Sequence, residues 1–227
     1  MLSGSFAERG DRVRWLSPRL EGESIPSAPV GVEVLGVESR LPDFAEVTSR
    51  LYDVPNERVF VDLLRSDPPD LVHVQGFGGT ATYLMPWLCE RMGIPAVVVA
   101  DPIEPSLCAR QTLVDERGEG CVRWAEAARC LECCTTPFEG GMTEAQARKA
   151  RSRGWLGLLA PRPVLADFEN RLDMVVNGLD SAACVLVGDE SAAEALARAF
   201  LPKRARVGVP ELADVGSWAA LYAEFAR

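Results

Sequence analysis

The sequence contains a single histidine among its 227 residues, and aromatic residues make up only 7%. A Ser-His-Asp triad needs an imidazole as general base, and His73 lies within an apolar stretch where it is expected to be a satisfied core residue. The sequence also has no G-x-S-x-G elbow and no G-x4-G-K-[ST] phosphate loop. These absences argue against a triad hydrolase and a P-loop NTPase.

Basic residues and long apolar runs are also scarce. Lys and Arg number 24 against 33 Asp and Glu, which gives a formal net charge of −9. Binding to nucleic acids or anionic membranes depends on positive charge, so neither is expected. No run approaches the roughly 18 apolar residues of a membrane span, and the start, MLSGSFAERGDRVRW, lacks a secretory apolar core. We expect a cytoplasmic protein with no transmembrane segment and no nucleic-acid partner.

Short, Val-rich runs alternate along the chain with stretches of helical periodicity. Asp70–Gln75 and Ala96–Ala100 are typical of parallel strands buried on both faces, and the helical pattern Thr80–Met92 joins them. Such repeated β-α-β units predict an α/β fold with a Rossmann-like, doubly wound, mainly parallel sheet. The predicted strands are Arg12–Leu16, Gly31–Val37, Asp70–Gln75, Ala96–Ala100, Ala183–Val187 and Arg206–Val209.

Further helices are predicted between and after these strands. Asn56–Arg65 begins just after Pro55, and Ser191–Phe200 follows the fifth strand. Val164–Val176 is amphipathic and is expected to end at Asn177-Gly178, a typical helix stop.

Five of the seven cysteines lie between positions 108 and 134. In a reducing compartment such clustering indicates metal or redox chemistry before disulfides. Cys130-x-x-Cys133 in a turn would supply two thiolates to a tetrahedral Zn²⁺ ion, with Cys134 or Cys89 as substitutes. The alternative is a set of buried free thiols, and no organic cofactor is expected. The predicted ligands of a structural Zn²⁺ are Cys108, Cys121, Cys130 and Cys133.

Residues 101–142 interrupt the strand–helix rhythm and carry all five clustered cysteines. This excursion follows the strand Ala96–Ala100, at the edge of the sheet where open α/β folds bind ligands. Asp101 and Glu104 are the candidate catalytic acid or base, or alternatively loop carboxylates that face water. The predicted substrate-binding residues at the same edge are Gln75, Gly76, Phe77, Gly78, Gly79, Asp189 and Glu190. For Asp189 the alternative is the N-cap of the next helix.

Three stretches carry a resemblance to a known family. They are PDLVHVQGFGGTATYLMPWLCERMGIPAVVVAD from Pro69, CARQTLVDERGEGCVRWAEAARCL from Cys108, and LDSAACVLVGDESAAEALARAFLPKRARVGVPE from Leu179. In order and spacing they resemble the N-terminal, acceptor-side domain of family 4 glycosyltransferases of the GT-B fold, over most of residues 10–211. The four-cysteine segment is the most specific part of this resemblance.

The resemblance implies a glycosyltransferase-like domain that takes part in sugar transfer from a nucleotide sugar to an acceptor. Its expected partners are the glycosyl acceptor or the nucleotide sugar, and a separate donor-binding domain, because the resemblance covers only the acceptor half. Residues 1–211 would form this domain, with 101–142 as its Cys-rich excursion, and 212–227 a C-terminal helix. Trp218 and Tyr222 of that helix resemble a family helix that packs back on the first domain.

Two departures from the family pattern favour alternatives. Gln75 and Ala100 stand where family members have histidines, and the opening strand with its glycine-rich turn has no counterpart. The first alternative is therefore a non-catalytic binding or scaffold module derived from a glycosyltransferase. The second is a nucleotide-binding Rossmann protein, since Gly76-x-Gly78-x-x-Ala81 follows a strand and Asp101 lies at the distance of an acidic ribose ligand.

Overall fold

The computed structural model describes residues 2–19, 27–38, 53–76, 82–100, 108, 117–121, 123, 125–135, 164–199, 205–210 and 214–225. Each of the six predicted strands and the predicted C-terminal helix is present within a few residues of its expected bounds. In chain order the elements are α1 Leu2–Glu8, β1 Val13–Arg19, β2 Val32–Glu38, α2 Val54–Ser66, β3 Val72–Gln75, α3 Leu84–Arg91, β4 Ala96–Val99, α4 Ala127–Thr135, α5 Leu165–Asp180, β5 Cys184–Val187, α6 Glu190–Ala199, β6 Ala205–Val207 and α7 Val215–Ala223.

The described strands form two parallel sheets. The larger has the order β3-β4-β5-β6, so neighbouring strands follow one another along the chain. His73 stands opposite Val97, and Val98 stands opposite Val185. The smaller sheet pairs β1 with β2 in parallel. The predicted α/β class with parallel strands is confirmed, because every described strand pair is parallel and helices are interspersed with the strands.

Helices cover both faces of the four-stranded sheet. On the first face, Val98 and Val185 pack with Val175 of α5 and Leu196 of α6. On the second face, Val97 and Val99 pack with Trp218 of α7, and Phe6 of α1 lies against the same cluster. Successive residues of β4 point to opposite faces and all four are buried. This two-sided burial explains why the strand reads as an unbroken apolar run.

Helix α5 does not end where the sequence predicts. It continues through Asn177-Gly178 to Asp180, so that expectation is wrong. Gly178 is buried where α5 meets the residue before α3, and a Cβ atom there would lie 2.4 Å from the carbonyl oxygen of Tyr83. The glycine therefore permits close packing inside a helix instead of marking its end.

Helices α2 and α3 pack on each other beside β1. Phe60 and Leu64 of α2 contact Met85 and Cys89 of α3, with Leu16 of β1 partly buried against them. None of the described helices is long and apolar enough to cross a membrane.

Candidate functional site

The carboxyl end of β3 carries the first residues of the predicted pocket. Gln75 is exposed there. Gly76 follows with a φ of +70°, and its N–H donates to the carbonyl oxygen of Val99 at 2.8 Å. That bond extends the β3–β4 pairing by one residue, so the chain leaves the sheet at Gly76 in a conformation that favours glycine. The remaining predictions at these two strands, Phe77, Gly78, Gly79, Asp101 and Glu104, lie outside the described residues.

A buried polar cluster lies where the Gly-rich segment ends. Thr82 donates its hydroxyl to Glu57 Oε1 at 2.7 Å, and the same oxygen accepts the backbone N–H of Asp53 at 3.1 Å. Asp53 is the N-cap of α2 and accepts the N–H of Asn56 at 3.4 Å. All four side chains are buried. Because α2 precedes the parallel strand β3, we expect its N-terminus at the carboxyl edge of the sheet.

Sequence reasoning missed this cluster. The available signal was local: Asp53 precedes Pro55, and an aspartate before an early helical proline is a common helix start. The pairing of Glu57 with Thr82 spans 25 residues, and no local pattern reports it.

His73 is enclosed between β3 and α7. Its Nε2 lies 3.0 Å from Gln75 Oε1, and its Nδ1 bonds the hydroxyl of Tyr222. The indole ring of Trp218 lies against the imidazole with centroids 5.3 Å apart. The amide oxygen of Gln75 only accepts, so Nε2 carries the proton and Nδ1 accepts from Tyr222. Both ring nitrogens are satisfied, as expected for a core histidine.

The electrostatics of this cluster favour its neutral form. Burial lowers the pKa of His73, and the bond to Gln75 opposes that shift only in part. Burial raises the pKa of Tyr222, which keeps its hydroxyl protonated as a donor. The histidine is therefore an uncharged structural group at neutral pH.

Asp189 and Glu190 begin helix α6. Asp189 Oδ1 accepts the N–H of Ala192 at 2.8 Å, the geometry of an N-cap. Both side chains are exposed at the carboxyl end of β5. The capping alternative for Asp189 is thus realised, while contact of either residue with a substrate stays a prediction.

The cysteine segment contains a helix instead of the expected turn. Cys130 and Cys133 both lie in α4, so the expectation that they form a C-x-x-C turn is wrong. Cys108 and Cys133 are buried, whereas Cys121, Cys130 and Cys134 are partly buried. Outside this segment, Cys184 of β5 is fully buried in the core cluster that contains Val97 and Trp218.

Burial is the main influence on the ionisation of Cys130 and raises its pKa to about 12. The guanidinium of Arg171 opposes that shift, and the other thiols of the segment add to it. Among the described residues, no three His, Cys, Asp or Glu side chains already surround a point where a metal ion could sit.

A shallow cavity of about 320 Å³ lies between β6 and α7. Its polar lining includes Arg206 and Glu224, which form an ion pair at 2.6 Å, and Ser217. The guanidinium of Arg206 also lies 5.5 Å from the ring centroid of Phe225. These contacts hold the C-terminal end of α7 against β6.

Comparison with known proteins gives no family. Neither the scan against protein-family models nor the search of curated proteins returned a match to this sequence.

Proposed function

We propose that this chain is a Rossmann-like, doubly wound domain that acts on the acceptor side of sugar transfer from a nucleotide sugar. The observation that carries the proposal is the edge where β3 ends. Gly76 opens a glycine-rich segment there, and Thr82 fastens the other end of that segment to buried Glu57. Gly76 therefore leaves β3 at the edge where α/β sheets bind ligands.

The chemistry of this edge suits a sugar. Gln75 is exposed, and its amide N–H groups can donate to sugar hydroxyls while its oxygen accepts from His73. Asp101 and Glu104 come after β4 in the sequence, and the carboxyl ends of parallel strands meet at one edge of a sheet. In this proposal one of these carboxylates takes the proton of the attacking acceptor hydroxyl as general base. The donor sugar is held by a separate donor-binding domain.

A second candidate is a non-catalytic sugar-binding module. The observation that favours it is His73, the one imidazole of the sequence, whose two ring nitrogens both have partners inside the protein. General-base chemistry then depends on the carboxylates alone. The two candidates share the sugar site and differ only in whether transfer occurs.

Thermal shift measurements on the purified chain test the shared site. A ligand that binds only the folded state raises the melting temperature. We expect mono- and oligosaccharide acceptors to raise it for the chain alone, and UDP-, GDP- or ADP-sugars to do so only when a donor-type GT-B domain is added. Gln75→Ala should reduce the sugar-induced shift. Glu90→Ala, an exposed change at the far end of α3, is the matched control and should leave it unchanged.

The outcomes separate the candidates. Transfer of a radiolabelled sugar with the donor domain present, lost in Asp101→Asn or Glu104→Gln, supports the enzyme. A sugar-induced shift without transfer supports the binding module. A shift by NAD or a free nucleotide on the chain alone, with none by any sugar, would overturn both and favour the nucleotide-binding alternative.

A further inference from the structure

His73 and Gln75 project from the same face of β3. They are two residues apart, and side chains alternate between the two faces along a strand. Their register partners in β4 are Val97 and Val99, which belong to the core cluster that contains Trp218 of α7. The side chain of Gln75 therefore leaves the last residue of β3 on the face that α7 covers, at the edge proposed for the sugar.

Two hydrogen bonds in series join Gln75 to α7. The hydroxyl of Tyr222 bonds Nδ1 of His73, and Nε2 of His73 lies 3.0 Å from Oε1 of Gln75. Burial lowers the pKa of His73 and raises the pKa of Tyr222, so at neutral pH the imidazole carries one proton and the phenol keeps its own. With the imidazole proton on Nε2, Tyr222 donates to His73, and His73 donates to Gln75.

Aromatic packing holds the members of this series in place. Phe6 of α1 stacks on the ring of Tyr222 with centroids 5.5 Å apart. The fully buried Trp218 lies against both other rings, with centroids 5.6 Å from Tyr222 and 5.3 Å from His73. Because these contacts restrict the phenol and the imidazole, the packing of α7 sets the direction of the hydrogen bond that reaches Gln75.

The two ends of the Gln75 amide differ in what they offer to a bound molecule. The oxygen is engaged by His73, whereas the nitrogen carries two N–H groups that only donate. The side chain is exposed at the sheet edge, so these donors can reach a ligand. An amide held in this one orientation selects an acceptor oxygen of the ligand, such as the ring oxygen or a hydroxyl oxygen of a sugar.

We propose that Tyr222 and His73 are positioning residues that fix the amide of Gln75 with its N–H groups available to the ligand. Helix α7, which is remote from β3 in the chain, thereby sets the hydrogen-bonding polarity of this sheet edge. The role of the amide in recognition rests on the proposed function, whereas its orientation is a property of the unliganded chain. The two can therefore fail separately.

NMR spectra of the unliganded chain at pH 7.5 test the orientation. His73 is the one histidine of the sequence, so its ring signals have no histidine overlap. We expect the proton on Nε2 and a single set of Gln75 side-chain amide signals. Tyr222→Phe should mix the two neutral tautomers of the ring and broaden or double the amide signals. The matched control Glu224→Gln removes the charge that pairs with Arg206 on the same helix and should change neither. A proton on Nδ1 in the unmodified chain, or unchanged spectra in Tyr222→Phe, would overturn the proposal.

Sugar binding by the variants tests which end of the amide recognises the ligand. The probes are glucose, galactose, N-acetylglucosamine and their disaccharides, compared by the concentration that gives half of the maximal thermal shift. Gln75→Glu keeps an acceptor for His73 but loses both donors, so it should weaken binding as strongly as Gln75→Ala. Tyr222→Phe should weaken binding about two- to fivefold, because part of the population then presents the wrong end of the amide. Glu224→Gln should bind as the unmodified chain does.

The outcomes separate this role from the sugar site itself. Unchanged affinity in Gln75→Glu or in Tyr222→Phe would overturn the positioning role and leave the sugar site standing. No shift by any of these saccharides in the unmodified chain, with the proton of His73 found on Nε2, would overturn the sugar site and leave the orientation of Gln75 standing.

Discussion

The two faces of the four-stranded sheet are covered in different ways. The face under α7 relies on a few large groups: Trp218 is fully buried, and Tyr222 bonds His73 and stacks on Phe6 at 5.5 Å. The opposite face is covered by three helical segments whose contacts are spread over many small and aliphatic side chains. The first arrangement concentrates stability in one aromatic cluster, and the second distributes it. We therefore expect single substitutions to lower stability most in the aromatic cluster under α7.

The largest effect is expected at Trp218. Trp218→Ala removes a fully buried ring that joins α7 to β4 and β5, and it should lower the free energy of unfolding by about 3–5 kcal/mol. The matched control is Trp87→Ala on α3, where the residue is 40% exposed and the change should cost less than about 1 kcal/mol. Urea unfolding followed by far-UV circular dichroism measures both. Equal losses for the two tryptophans would break the contrast between a concentrated and a distributed face.

A smaller loss is expected at Gly178 on the opposite face. Gly178→Ala sets a methyl group 2.4 Å from the carbonyl oxygen of Tyr83, so α5 must move away from the start of α3 at a cost of about 1–3 kcal/mol. Gly216→Ala in α7 is the control, because its nearest atom is a flexible carboxylate oxygen 3.5 Å away. That change should be neutral or stabilising by up to about 1 kcal/mol. A neutral Gly178→Ala in the same urea titration would mean that this face tolerates repacking at its closest contact.

The smallest effect is a pH dependence confined to the α7 face. The pKa of folded His73 lies below its unfolded value of about 6.5, because burial disfavours the charged ring. Below pH 6.5 the unfolded chain therefore binds more protons than the folded chain, and stability falls as the pH is lowered. We expect the urea midpoint to drop between pH 7.5 and 5. Tyr222→Phe should cost about 1 kcal/mol at pH 7.5 by leaving Nδ1 without its donor.

His73→Gln serves as the control for that dependence. It removes the titrating group while keeping a polar side chain, so the contribution of His73 to the drop should disappear even if the variant is less stable throughout. A pH dependence that persists in full would assign the effect to the carboxylates of the chain and remove His73 as its source.

The strands and the class of fold were predictable because they follow from local periodicity. The AVVV run of β4 and the CVLV run of β5 are short and apolar, and helical patterns or Gly and Pro residues flank them. Together these features predict buried strands. The end of α5 was predicted wrongly at Gly178, because an Asn-Gly pair looks the same in sequence whether the glycine ends a helix or allows close packing inside one. The helix that holds Cys130 was missed because thiol spacing was given more weight than helical periodicity.

The candidate sites divide in the same way. Gln75, Gly76, Asp189 and Glu190 could be assigned to the carboxyl edge, since every parallel strand ends on that side. The partner of Glu57 and the tautomer of His73 could not be assigned, because each depends on residues distant in the chain.

The sequence by itself determined the α/β class, the strands, the burial of β4 and β5, and the acidic surface. These properties follow from composition and from short-range sequence patterns, which do not depend on contacts between distant residues. Only the tertiary structure decided that Thr82 holds Glu57 and that Tyr222 donates to His73. Those contacts join residues 25 and 149 positions apart. They form only when the packing of the helices on the sheet brings the two partners together.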